Sequence, residues 1–233
     1  MKASFNLSMH RLSAAFWETM FEGVYEQLPA VLPAILANYE RCEKFRTESD
    51  YDTGSISVAA GVCLYALCRH FQVDRVVEIG TFIGKSTSSM ALALARNGPD
   101  GAIHTCDKDN GCFEPWQGFG CRVHSYPWKS STEMLSELCR SPDKADLFFF
   151  DGRIQSEDIP LIARLAHPGT VFVFDDFEGT EKGVINVAAL RSSMPQHILI
   201  EPCPTEILER YGIQGRSLSA LLFNVKNLSI TNQ

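Results

Sequence analysis

Apolar residues recur along this chain at two different intervals. In residues 12–27 they fall at helical spacing (Leu12, Phe16, Met20, Val24), which predicts an amphipathic helix. Pro29 and Pro33 interrupt that run, and a second helix is predicted over 31–47. A polar, turn-like stretch over 48–54 follows, and Ser55 or Ser57 would cap a third helix reaching about Phe71. From Arg75 onward the interval changes. Short β-branched and aromatic runs at 76–79, 102–107, 121–125, 146–151, 170–175, 197–201 and 219–225 read as strands. Helical segments near 86–97, 131–140, 156–166 and 180–193 separate most of them. Strands alternating with helices predict a doubly wound α/β sheet whose strands run mostly parallel. The runs Leu147-Phe148-Phe149-Phe150 and Val171-Phe172-Val173-Phe174 are apolar on both faces, as expected where helices cover both sides of a sheet. Residues 109–120, rich in Gly, Pro and aromatics, predict an irregular connection that contains Trp116, and Trp128 falls in the next one.

Several of the strands end in acids. Arg75-Val76-Val77-Glu78-Ile79-Gly80-Thr81-Phe82-Ile83-Gly84-Lys85-Ser86-Thr87 compresses a buried strand, a tight turn and a helix start into thirteen residues. Ligands of open α/β sheets bind at the C-terminal edge of the strands, where such a turn lies. A dinucleotide site needs G-x-G-x-x-G so that backbone can approach a pyrophosphate. Here the spacing is Glu78-x-Gly80-x-x-x-Gly84, which leaves a nicotinamide oxidoreductase the weakest reading. A phosphate-binding P-loop would need a glycine five positions before Gly84, where Ile79 stands. Asp107 ends the second strand 23 residues after Gly84, close to the spacing at which an acid meets a ribose. Asp151 and the pair Asp175-Asp176 end the fourth and fifth strands. Each of these residues also suits a plain turn or cap.

Over roughly residues 55–226 this order of motifs resembles the class I S-adenosylmethionine-dependent methyltransferases, whose first motif is an acid followed by x-Gly-x-x-x-Gly. The resemblance implies a seven-stranded sheet with an antiparallel last strand, and S-adenosylmethionine as methyl donor. It implies that Glu78, Gly80, Thr81, Phe82, Gly84 and Ser86 surround the methionine part of the donor. Asp107 would hold the ribose, Ser131 the adenine side, and Asp151 the mouth of the site. The acid pattern is similar to catechol- and caffeoyl-CoA-type O-methyltransferases and closer to macrocin-type sugar O-methyltransferases. Asp151 and Asp175 would then be catalytic, and Asp151, Asp175 and Asp176 would hold a divalent cation, Mg²⁺, that activates a hydroxyl. Three neighbouring carboxylates need such a charge, because like charges cannot all ionise together. These families place a lysine or histidine base three residues after the first aspartate. Ile154 occupies that place, so Asp175, the ion, or a residue such as Lys182 would take the proton. A metal-free N- or C-methyltransferase, or a nonenzymatic nucleoside-binding subunit, remains the alternative.

Composition narrows the setting. The 233 residues carry a net charge of -7, without a basic cluster, which argues against nucleic-acid backbone as a partner. The longest apolar stretch, over 58–68, is too short for a membrane helix, and residues 1–16 lack the apolar region of a secretion signal. Of eight cysteines without a C-x-x-C pair, most read as core residues of a cytoplasmic protein, and none has the spacing of a zinc site. His104 and His124, inside predicted strands, read as structural. Residues 1–53 form the predicted helical extension, a lid or homodimer surface, and 54–233 the donor-binding domain, which would act on a small molecule.

Overall fold

The computed structural model describes residues 2–46, 55–108, 120–194 and 196–224. Helix α1 (Lys2–Glu22), a short 3₁₀ turn (Tyr25–Gln27) and α2 (Leu28–Glu43) precede α3 (Val58–His70). The alternating part then runs β1 (Arg75–Ile79), α4 (Lys85–Asn97), β2 (Ala102–Asp107), β3 (Arg122–Pro127), α5 (Ser131–Leu138), β4 (Leu147–Phe150), α6 (Asp158–Leu165), β5 (Val171–Phe174), α7 (Lys182–Ser193), β6 (His197–Ile200), α8 (Thr205–Arg210) and β7 (Ala220–Asn224). The strands form one sheet in the order β3-β2-β1-β4-β5-β7-β6. The first five are parallel neighbours, and β7 runs antiparallel to both β5 and β6. The expected doubly wound sheet is therefore present. Its order turns around at β1, so the turns after β1 and β4 open side by side at the switch point where such folds bind ligands.

Period-two alternation distributes the aromatics to two faces. Phe148 and Phe150 of β4 stack on Phe172 and Phe174 of β5, with centroids 5.5 and 5.0 Å apart, under α5, α6 and α7. Phe149, Val171 and Val173 point the other way, into the larger core that α3 and α4 cover. Helices α1 and α2 join this same core. Phe16 stacks on Phe223 of β7 at 5.5 Å, the Trp17 indole donates to the Glu201 carbonyl at 3.0 Å, and Ser13 accepts from the Glu201 amide. A fully buried Trp and Phe contribute several kcal/mol of apolar burial, about 1.5–3 kcal/mol per large side chain, so this helix is firmly seated.

Local signals account for most element ends. Ser57 adopts an extended conformation and accepts the Ala60 amide at 3.0 Å, capping α3 as its sequence position suggests. Ser130, not Ser131, caps α5, in a capping box with Glu133. The expected break at the prolines does not occur. Helix α2 begins at Leu28, because Pro29 sits in the first turn where its missing N–H is not needed, and Pro33 lies inside the helix. The six-residue α8 has too few turns to show a periodic pattern. Trp116 and the expected turn over 48–54, with the boundary at 53/54, lie outside the described residues. No disulfide links the described cysteines, and all but Cys121 are buried. His104 and His124 stack at 4.7 Å in adjoining strands, and burial keeps His104 neutral by lowering its pKa to about 4. Among the described residues no helix is long and apolar enough to cross a membrane.

Candidate functional site

The site is built from the turns at the C-terminal ends of β1, β2, β4 and β5. After β1 the chain turns through Gly80 at φ +97°, Phe82 at φ +46° and Gly84 at φ +85°. Gly84 is the N-cap of α4, so the first N–H groups of that helix face the turn without a side-chain cap. Gly80 has no room for a Cβ, which would lie 2.7 Å from the Gly152 nitrogen and 2.9 Å from the Asp151 carbonyl carbon. The Ile79 carbonyl accepts both the Asp151 and Gly152 amides, at 2.9 and 2.7 Å. The two strand-end turns are thereby bolted together.

Glu78 serves this turn from below. It is fully buried, and its two carboxylate oxygens accept the Ser86 and Thr87 hydroxyls, each at 2.5 Å. Burial pushes its pKa up to about 7, against the opposing pull of hydrogen bonds from Ser86, Thr105 and Thr87. Glu78 and Ser86 therefore pair with each other, tying β1 to the start of α4. Thr81 is likewise buried and shares a hydrogen bond with Thr105 of β2 at 2.5 Å. Asp107 stands at the end of β2, as anticipated, and accepts the Phe82 amide at 2.8 Å. The carboxylate that would face a ribose is thus oriented by the glycine turn itself. Ser131 donates instead to the buried Asp158 at 2.6 Å, where Thr132 donates as well, joining α5 to α6.

A shallow cleft opens over this turn, lined by Ser55, Ile56, Thr81, Phe82, Gly84 and Asp151 among others. The N-terminal helices reach it too. Glu43, at the end of α2, contacts Lys85 at 2.5 Å and Arg46 at 2.6 Å. Hydrogen bonds from Arg46, then Lys85, hold the Glu43 carboxyl well down, at about 2. The Arg46 guanidinium lies over the Phe82 ring, 5.1 Å from its centroid. Nothing in the sequence near Glu43 or Arg46 signals this grip, which bridges about forty residues of chain.

The acids that follow β4 and β5 lie at one edge of the sheet, because the two strands are parallel neighbours. Asp151 and Asp176 are bridged by Lys182, whose Nζ lies 2.6 Å from Asp151 Oδ1 and 3.0 Å from Asp176 Oδ2. Asp175 is buried and accepts the Ser219 hydroxyl of the β7 approach at 2.9 Å. Burial first, and then Asp175, raise Asp151 above the usual carboxylate range, while Lys182 pulls it back. Burial and Asp176 raise Asp175 similarly, against the Ser219 bond. Burial of Lys182 works against its charge, yet Asp151 and Asp176 outweigh that and keep its pKa above the ordinary lysine value. Ile154 packs into the core under β4 and cannot act as a base. Among the described residues no three of His, Cys, Asp and Glu come together as a metal-binding set.

A family model described as a methyltransferase domain matches residues 77–177, the span from Glu78's strand through the Asp175-Asp176 turn. No curated protein matches the chain. Among solved structures, the O-methyltransferase TomG from Streptomyces achromogenes, involved in tomaymycin synthesis and captured with SAM, is 23% identical, with a TM-score of 0.58 over 79% of this chain and 88% of that one. A candidate O-methyltransferase from Klebsiella pneumoniae is also 23% identical, with a TM-score of 0.56 over 83% of this chain and 89% of its own. The Bacillus cereus O-methyltransferase in complex with SAH is 16% identical, with a TM-score of 0.54 over 83% of this chain and 89% of that one. Residues 77–177 thus match a methyltransferase-domain model, and the chain shares its fold with these solved methyltransferase structures.

Proposed function

We propose that this chain is a methyltransferase that transfers a methyl group from S-adenosylmethionine to a hydroxyl of a small molecule. The observation that carries the reading is the cleft over the β1 turn, with Asp151 on its wall and Asp107 held beside it by the same turn. Two of the similar structures were captured with SAM or SAH, and their O-methyltransferase descriptions support the hydroxyl acceptor.

The residues fit the donor. The N-terminus of α4 offers backbone N–H groups and a positive dipole end to a carboxylate. Asp107, oriented by the Phe82 amide, suits vicinal hydroxyls, since a carboxylate oxygen accepts more than one hydrogen bond. When bound, the donor supplies a methyl group made electrophilic by a positive sulfur. The chain's own contribution is positioning, which accounts for much of the rate in a transfer between two held reactants. Asp151 also takes the acceptor's proton. It lines the cleft, its Oδ1 is fixed by Lys182, and a carboxylate raised above its usual range is the better base. The apolar Ile154 in the usual base position favours one second reading, an amine acceptor, which attacks once neutral and needs no strong base.

Calorimetry tests the donor assignment. S-adenosylhomocysteine is expected to bind, and Asp107→Ala to weaken it about 10- to 100-fold, the worth of one charge-assisted hydrogen bond. A response to NAD with none to S-adenosylhomocysteine would sink the assignment.

A further inference from the structure

We propose that the Lys182 ammonium is the site's built-in cation, supplying in place of a divalent ion the positive charge that Asp151, Asp175 and Asp176 demand. Three observations converge on it. First, the ammonium already occupies the space between the two carboxylates that would bracket a metal, 2.6 Å from one and 3.0 Å from the other. A magnesium ion would need oxygens at about 2.0–2.1 Å and could not share that space. Second, the third carboxylate is committed elsewhere. Asp175 Oδ1 accepts Ser219, and no metal set forms among the described residues. Third, the lysine is fixed in place by its neighbour. A Cβ at Gly183 would lie 2.0 Å from the Asp175 carbonyl oxygen and 2.8 Å from the Asp176 carbonyl carbon. The first turn of α7 is therefore pressed directly onto the β5 turn, and Asp176 adopts φ +51° beneath it. Lys182 emerges from an anchored backbone, so it is part of the site rather than a loose surface charge.

The inference rests on the methyl-transfer reading only for what the charge is used for; metal exclusion can be measured without turnover. Chelator-treated full-length protein is titrated with Mn²⁺ at neutral pH, and free ion is read from its paramagnetic resonance signal. Wild type is expected to leave the signal intact up to about 1 mM, the weak end of oxygen-ligand sites. Lys182→Met, which leaves the carboxylates uncompensated, is expected to bind Mn²⁺ at least about tenfold more tightly, and Asp151→Asn added to it to abolish that gain. Wild-type binding with a Kd below about 50 µM that Asp175→Asn removes overturns the proposal. A Lys182→Met protein that binds no better than wild type overturns it as well. If Lys182→Met does not fold, Lys182→Gln takes its place, and the wild-type titration still decides. S-adenosylhomocysteine calorimetry on the same samples separates the two ideas. Absent binding of the nucleoside alongside Mn²⁺ exclusion would defeat the methyl-transfer reading and leave the lysine assignment standing.

Discussion

Gly183→Ala is expected to be among the most damaging single-methyl changes in this protein, costing about 3 kcal/mol or more of stability, the upper range for overpacking. The new Cβ would sit 2.0 Å from the Asp175 carbonyl oxygen, and the other close atoms are also backbone, so no side chain can swing aside. Either α7 slides outward or the β5 turn deforms. Both moves pull Lys182 away from Asp151 and Asp176, and leaving a buried carboxylate without its partner adds a further penalty. A loss of that size lowers the melting temperature by about 6–12 °C in a chain of this length. Gly98→Ala is the matched control. Its φ of 171° is extended and nothing lies within 4 Å of its Cβ, so little change is expected. Thermal denaturation of both variants checks the claim, and a Gly183→Ala melting point within about 2 °C of wild type refutes it.

The second large effect is a pH dependence centred on Glu78. Burial raises its pKa from 4.5 to about 7 in the folded chain. Between those values the native state keeps a proton that the unfolded chain releases, so stability falls as pH rises. The contribution is complete below about pH 4.5 and is lost as pH climbs through about 7, amounting to about 3 kcal/mol. Glu78→Gln keeps the shape and does not titrate. It should flatten this part of the curve, matching or exceeding wild type at pH 8 and falling behind at pH 5. Asp151 and Asp175 titrate in both proteins, so the difference between the curves isolates Glu78. Glu78→Leu should instead cost about 1–3 kcal/mol for each stranded hydroxyl, Ser86 and Thr87, at every pH. Urea titrations at pH 5, 6, 7 and 8 measure all three, and parallel wild-type and Glu78→Gln curves would remove the buried carboxylate from the account.

These two residues show what a sequence can and cannot say about such a site. The strand ends were legible because each carries its own local pattern, an apolar run closed by an acid, and parallel pairing then brings the ends of β1, β2, β4 and β5 to one edge. The glycines were legible for the same reason. What each carboxylate touches was not. Glu78 reads as a donor-facing acid, yet it faces Ser86 and Thr87 across the first turn of α4. Ser131 reads as a contact for adenine, yet Asp158, in another helix, holds its hydroxyl. The cation between Asp151 and Asp176 comes from a lysine about thirty residues beyond the first of them. No periodicity encodes pairs so far apart; they are set by how the helices land on the sheet.

The same holds for the link between α2 and the β1 turn. Glu43 grips Lys85, and Arg46 covers Phe82, so the helices that precede the sheet close over the wall of the cleft. Grafting a foreign leading segment onto this scaffold would remove Glu43 and Arg46 and so release Lys85 and Phe82 of the β1 turn at the same stroke. Two stretches of the polypeptide some forty positions apart are in this way mechanically a single unit, and neither can be redesigned without the other.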